Sequence, residues 1–189
     1  MSVALAGDHV ETLQRIPMSY EEYQALPEHP RAEWVDGIVV FMSPLGARPE
    51  HQQAARRLAN LIEDALAGLE VIESVGIALP RNRERLPDVA AFGAPVRTEL
   101  PVVETPILVA EVLSPSTRRE DLIRKGPEYA EAGIAQYWVV DLDARTIEVQ
   151  ENVDGRWELL ATIDDGNPTA DVQVGEHGTV TVDLAAVLR

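Results

Sequence analysis

Apolar positions along this chain change their period several times. From about Glu50 to Gly68 they recur at helical spacing. Leu58, Leu61, Ile62, Ala65 and Leu69 form one stripe, and Gly68 supplies a stop, so the pattern predicts the longest helix here. Elsewhere the apolar runs are short and strand-like: Val71 to Leu79, Leu86 to Phe92, Ile107 to Leu113 and Tyr137 to Asp141. Glu33 to Phe41 carries an Asp36-Gly37 turn between apolar stretches, and Ser43-Pro44 closes that hairpin. Thr146 to Asn152 and Trp157 to Ile163 flank Asp154-Gly155 in the same way. Weaker strands are expected near Val172 and Val180, with a short helix from Asp183.

Polar punctuation fills in the rest. Ser19 and Glu22 form a capping box opening a short helix to about Leu26, which ends at Pro27. Thr117 and Glu120 form a second box, opening a helix that Pro127 kinks or restarts and Gly133 stops. Gly93 to Pro106 is a long, Pro-containing loop, either variable or functional. Strands interleaved with two main helices predict an α/β (α+β) fold, with a mixed central β-sheet flanked by helices. Residues 1–17 lack a signal-peptide core and read as a flexible leader, leaving residues 18–189 as a single domain.

Composition narrows the chemistry. The absence of cysteine removes disulfides, thiol catalysis and Cys-based zinc sites, and makes a cytoplasmic location the default. No run approaches the length of a transmembrane helix. The formal net charge of −16 argues against tight, sequence-independent binding to a nucleic-acid backbone, which needs Lys and Arg. The cations are unevenly spread, however. Eight of the 16 lie between Arg81 and Lys125, together with seven acids. Lys125 is the single lysine; the other 15 cations are arginine. A compact ammonium and a planar guanidinium are not interchangeable. Pairing with Asp121, one helical turn back, would explain Lys125 structurally.

Two carboxylates lie within apolar strand runs. Glu111 shares a strand face with Ile107, Val109 and Leu113, so it lies near a core. Such a residue is paired, metal-bound or catalytic. Asp88 follows Pro87 at the start of another run; alone it reads as a turn residue. Adjacent strands would set Asp88 beside Glu111 as an oxygen site suited to Mg²⁺, with a nearby lysine to orient water.

These residues resemble the PD-(D/E)XK motif of restriction-endonuclease-like nucleases, and more closely the Uma-type endonuclease family of bacteria. The resemblance runs from about Met18 to Leu188. It is carried by Met18 to Tyr23 with Leu26-Pro27, Glu33 to Gly37 with Met42-Ser-Pro44, His51, Pro87-Asp88, Glu111 to Arg118, Asp121 with Lys125, Tyr129 to Ile134, and Tyr137 to Asp141. It implies a restriction-endonuclease-like core and a Mg²⁺- or Mn²⁺-dependent endonuclease acting on DNA. Asp88 and Glu111 would be the metal ligands, Lys125 the catalytic lysine and Glu33 a further acid of the site. In the simplest form of the motif the lysine stands two residues after the glutamate; here that position is Leu113, and the resemblance implies that Lys125 replaces it from the following helix. Relatives commonly carry an acid where this chain has Ile38.

Simpler roles compete at several positions. A cross-strand salt bridge also explains Glu33. His51, at a helix start, reads as a surface or cap residue. Tyr129 and Trp138 read as core. Ser114 and Ser116 read as turn and cap residues. Arg118, Arg119 and Arg124 form either a phosphate-contacting or a solvated face. Two other functions remain open: a non-catalytic interaction module on a nuclease fold, and a metal-dependent hydrolase of another phosphate ester. A homodimer is expected from symmetry alone.

Overall fold

The computed structural model describes residues 13–26, 31–41, 48–93, 95–96, 101, 104–115 and 117–189. Asp36 and Gly37 both have positive φ, 51° and 82°, and close a tight hairpin between β2 (Ala32–Val35) and β3 (Ile38–Phe41). Ser43-Pro44 lies outside the described residues. β1 (Gln14–Pro17) pairs antiparallel with β3, so residues that the sequence pattern left in a leader add a strand to the sheet. The capping box forms as expected, with Ser19 and Glu22 closing on each other at the start of α1 (Tyr20–Gln24). α2 (Pro49–Ala65) is the predicted long helix. It buries His51, Ala54, Ala55, Leu58, Ala59 and Ile62, whereas Ala65 is exposed.

The run from Val71 to Leu79 is not one strand. Ser74 has φ 52°, and the chain breaks there into β4 (Glu70–Glu73) and β5 (Ile77–Leu79), which join different sheets. β6 (Arg83–Arg85) lacks apolar residues and left no strand signal in the sequence. It follows β5 through Arg81 and Asn82, both at positive φ. β7 (Val89–Phe92) and β8 (Leu108–Leu113) are wholly buried and antiparallel. Parts of the loop between them lie outside the described residues.

β8 pairs parallel with β9 (Gln136–Asp141). A parallel pair needs a crossover connection, and here it is helical. Glu120–Lys125 form a π-helical turn, which passes into α3 (Gly126–Glu131). Pro127 accounts for the wide turn: it has no N–H to give to the Ile123 carbonyl, and its ring crowds that carbonyl. The Gly126 N–H instead donates to Asp121 O, five residues back. The second capping box does not form. The Thr117 hydroxyl meets Ser114 Oγ at 2.9 Å, and the Glu120 carboxylate turns inward to Arg85 and Arg15.

β10 (Thr146–Val153) and β11 (Arg156–Ile163) extend the sheet in the order β11-β10-β9-β8-β7-β4. A second sheet has the order β1-β3-β2-β6-β5. β12 (Thr169–Val174) and β13 (Gly178–Asp183) form a hairpin, followed by α4 (Leu184–Val187), which Asp183 caps. α2, α4 and this hairpin pack with Val89, Leu108, Ala110 and Val112 on one face of the six-stranded sheet. Tyr129, Ile134 and the β5 residues Ile77 and Leu79 pack with Ala90, Phe92, Val109 and Leu113 on the other. The mixed α+β architecture matches the expected fold class. Among the described residues no helix is long and apolar enough to cross a membrane.

Candidate active site

The two central strands set the geometry. Val89 pairs with Ala110 and Ala90 with Val109, so continuing the register by one residue sets Asp88 opposite Glu111. Alternation assigns Glu111 to the sheet face of Val109 and Leu113, the face that the crossover covers, while Asp88 stands just ahead of β7 at the open end of the strand pair. The Asp88 side chain takes over where the ladder stops: the Val112 N–H donates to Asp88 Oδ2 at 2.8 Å.

The crossover brings the ammonium. Lys125 is 2% exposed, and its Nζ lies 3.0 Å from Glu33 Oε1, 3.1 Å from Glu111 Oε1 and 3.2 Å from Asp121 Oδ1. The pairing with Asp121 therefore exists, as one of three. The Tyr129 hydroxyl, from α3, donates to Glu111 Oε1 at 2.7 Å. The cross-strand bridge expected of Glu33 exists too. Arg85 Nη1 reaches Glu33 Oε2 at 2.7 Å, while the Leu86 N–H donates to Glu33 Oε1 at 3.0 Å. The same fully buried guanidinium binds Glu120 Oε1 at 2.9 Å and grips Glu128 with two bonds of 2.6 and 2.9 Å. It thereby ties the five-stranded sheet to the crossover.

Electrostatics follow from this crowding. Burial pushes the Glu111 carboxyl well above the usual carboxylate range; Lys125 opposes the shift, and the negative charges of Asp121 and Asp88 add to it. Asp121 is raised for the same primary reason. Burial disfavours the charged form of Lys125, but Glu111, Glu33 and Asp121 outweigh it and hold its pKa well above the ordinary value. Burial would also raise Glu33, yet Lys125 and Arg85 hold it below its usual range. Asp88 is held low against its burial, by His51 first and by Lys125 and the Val112 N–H.

Asp88, Glu111, Lys125 and Glu33 are thus brought together from four elements or their ends. Some partners were not legible in the sequence. His51 is not a surface residue: it is buried in the first turn of α2, with Nε2 3.2 Å from Asp88 Oδ2. Tyr129 is core, as read, but its hydroxyl belongs to the cluster. Arg85 left no signal, because a lone arginine among polar residues reads as surface. The cation-rich segment is largely neutralised within the fold. Arg81 meets Glu131, Arg83 meets Asp36, Arg118 meets Asp141, and Arg124 lies 3.8 Å from Glu120.

No three acidic or histidine side chains form a metal-holding group among the described residues. The chemistry of the donors nevertheless suits a hard divalent cation. Asp88 and Glu111 offer carboxylate oxygens, and Mg²⁺ is commonly held by one or two carboxylates while it keeps several waters. Burial raises Glu111 first, and the repulsion from Asp121 and Asp88 that adds to it is the part a bound cation relieves.

The α+β fold thus holds a buried carboxylate–lysine cluster at the end of two central strands. Residues 20–185 match the model of the Uma2 family, described as "Putative restriction endonuclease", and the chain belongs to that family. Its fold is similar to the crystal structure of "a putative nuclease belonging to DUF820" from Anabaena variabilis. The TM-score is 0.72 and the identity 17%, covering 91% of this chain and 98% of the other. No curated protein matches the chain.

Proposed function

We propose that this protein is a metal-dependent endonuclease that hydrolyses phosphodiester bonds, with DNA as substrate and Mg²⁺ or Mn²⁺ as cofactor. The observation that carries this reading is the meeting of Lys125 with Glu111 and Glu33 in one buried cluster, beside Asp88. Family membership supports the nuclease part of it.

Asp88 and Glu111 would hold the ion. When bound, the ion supplies Lewis-acid chemistry: it polarises the phosphodiester and lowers the pKa of a bound water. Lys125 stays protonated among its carboxylates, which favours an electrostatic role over that of a base: its ammonium orients the attacking water and offsets charge developing on the phosphate. Glu33 fixes that ammonium from the neighbouring sheet. The absence of cysteine agrees with a cytoplasmic setting, and a homodimer is the symmetry expectation.

Two observations favour a second reading, a non-catalytic interaction module on a nuclease fold. Most of the cations between Arg81 and Lys125 are already paired with acids of this chain, and position 38 is Ile. Cleavage of single- and double-stranded DNA with Mg²⁺ or Mn²⁺ separates the two. Wild type should cut, and Lys125→Ala and Asp88→Asn should cut far more slowly. Equal rates for all three proteins would remove the enzymatic reading.

A further inference from the structure

Each carboxylate assigned to the ion uses one oxygen for the protein. Glu111 Oε1 accepts from the Tyr129 hydroxyl at 2.7 Å and from Lys125 Nζ at 3.1 Å. Asp88 Oδ2 accepts from the Val112 N–H at 2.8 Å and lies 3.2 Å from His51 Nε2. Among the described residues, no donor is seen on Glu111 Oε2 or Asp88 Oδ1. The anchoring groups come from rigid elements on opposite sides of the sheet. Tyr129 is on α3 and fully buried, packed edge-on against Tyr137 at 5.7 Å between ring centroids. His51 is on the first turn of α2 and is also buried.

A carboxylate on an unrestrained side chain can rotate about its last torsion and offer either oxygen. Fixing one oxygen selects the other, and outer partners of this kind set how well a ligand is aimed. Neither residue needs its polar group for packing. Phenylalanine fills the same core as Tyr129, and a helix start has no requirement for a buried imidazole.

We propose that Tyr129 and His51 are positioning residues, which hold Glu111 Oε1 and Asp88 Oδ2 so that Glu111 Oε2 and Asp88 Oδ1 are the oxygens left for a divalent cation. This rests on the reading of Asp88 and Glu111 as ligands. Neither Tyr129 nor His51 is assigned contact with the metal or the substrate.

The test is Mn²⁺ affinity, measured by electron paramagnetic resonance on the full chain, with urea denaturation confirming that each variant is folded. Tyr129→Phe and His51→Ala should each weaken Mn²⁺ binding by roughly 10- to 100-fold, the range found for outer partners of metal ligands. His51→Gln keeps an N–H donor and should recover most of the loss. Asp88→Asn and Glu111→Gln serve as the control for the underlying reading. If they abolish binding while Tyr129→Phe and His51→Ala leave it at the wild-type value, the positioning roles are overturned and the ligand assignment stands. If Asp88→Asn and Glu111→Gln bind Mn²⁺ like wild type, the ligand assignment falls, and the positioning roles fall with it. Equal loss in His51→Gln and His51→Ala would also count against His51.

Discussion

Lys125 Nζ lies 3.1 Å from Glu111 Oε1, with the ammonium supplied by the crossover helix and the carboxylate by the strand that precedes it. The strand position two residues after Glu111 is Leu113, which packs in the core beside Val109 and Tyr129. The ammonium that a shorter motif would place on the strand is delivered from above it.

That delivery makes Lys125 sensitive in two separable ways. Lys125→Ala should lower DNA cleavage by roughly 100- to 1000-fold, the scale for loss of one preorganised charge donor. It should also cost about 3–5 kcal/mol of stability, because Glu33, Glu111 and Asp121 stay buried without their shared cation. Lys125→Arg should not restore cleavage, since a planar guanidinium does not fit a site shaped for an ammonium. Cleavage assays beside urea denaturation check all three expectations.

Glu111 sets a pH dependence of the metal-free protein. Its folded-state pKa is raised above the unfolded value, so the folded state favours the neutral acid. The stabilising contribution of that proton is present below the unfolded pKa of about 4.3. It is lost as pH rises from there toward the folded pKa. Metal-free wild type should therefore melt lower at pH 8 than the Glu111→Gln variant, with the difference shrinking toward pH 5. Thermal melts at the two pH values, in the presence of a chelator, provide the measurement.

Arg85 is a structural tie rather than a reacting group. Its guanidinium is fully buried and holds Glu33, Glu120 and Glu128 together. Arg85→Met removes the two-bond partner of Glu128 and one of the cations facing Glu33 and Glu120, and should destabilise by about 3–5 kcal/mol. A double-mutant cycle with Glu128→Gln should show strong coupling, because the two residues share a two-bond contact.

Pro127 stands just after the π turn that carries Lys125. Pro127→Ala restores an N–H at position 127, so the crossover can relax from a π turn to a regular α-helix. Stability should hold or rise, while displacement of Lys125 and Asp121 should reduce cleavage on the order of 100-fold. Melting temperature and cleavage rate, measured together, test this.

Much of this was legible in the residues themselves. Local rules suffice where one short segment meets its own needs: the Asp36-Gly37 turn, the Ser19–Glu22 box, the α2 stripe, and the buried strands around Glu111. A carboxylate in an apolar strand, with the single lysine 14 residues beyond it, is the sequence signal of the cluster. Local rules failed where a distant partner decided the outcome. Val71 to Leu79 looked continuous until Ser74 sent its two halves to different sheets. The Thr117–Glu120 box was overridden because Arg85 and Arg15 compete for the Glu120 carboxylate.

The sequence by itself determined most of the elements and the α+β class, because apolar period and turn chemistry are properties of neighbours along the chain, while Glu33, Asp88, Glu111 and Lys125 were singled out through the family resemblance their motifs carry. Only the tertiary structure decided that Lys125 turns inward, that His51 and Tyr129 reach the carboxylates, and that Arg85 lies buried among acids. Those outcomes depend on strand register, on a crossover widened at Pro127, and on charges brought together from segments far apart in sequence. Burial then makes each of those charges answer to its partners rather than to water.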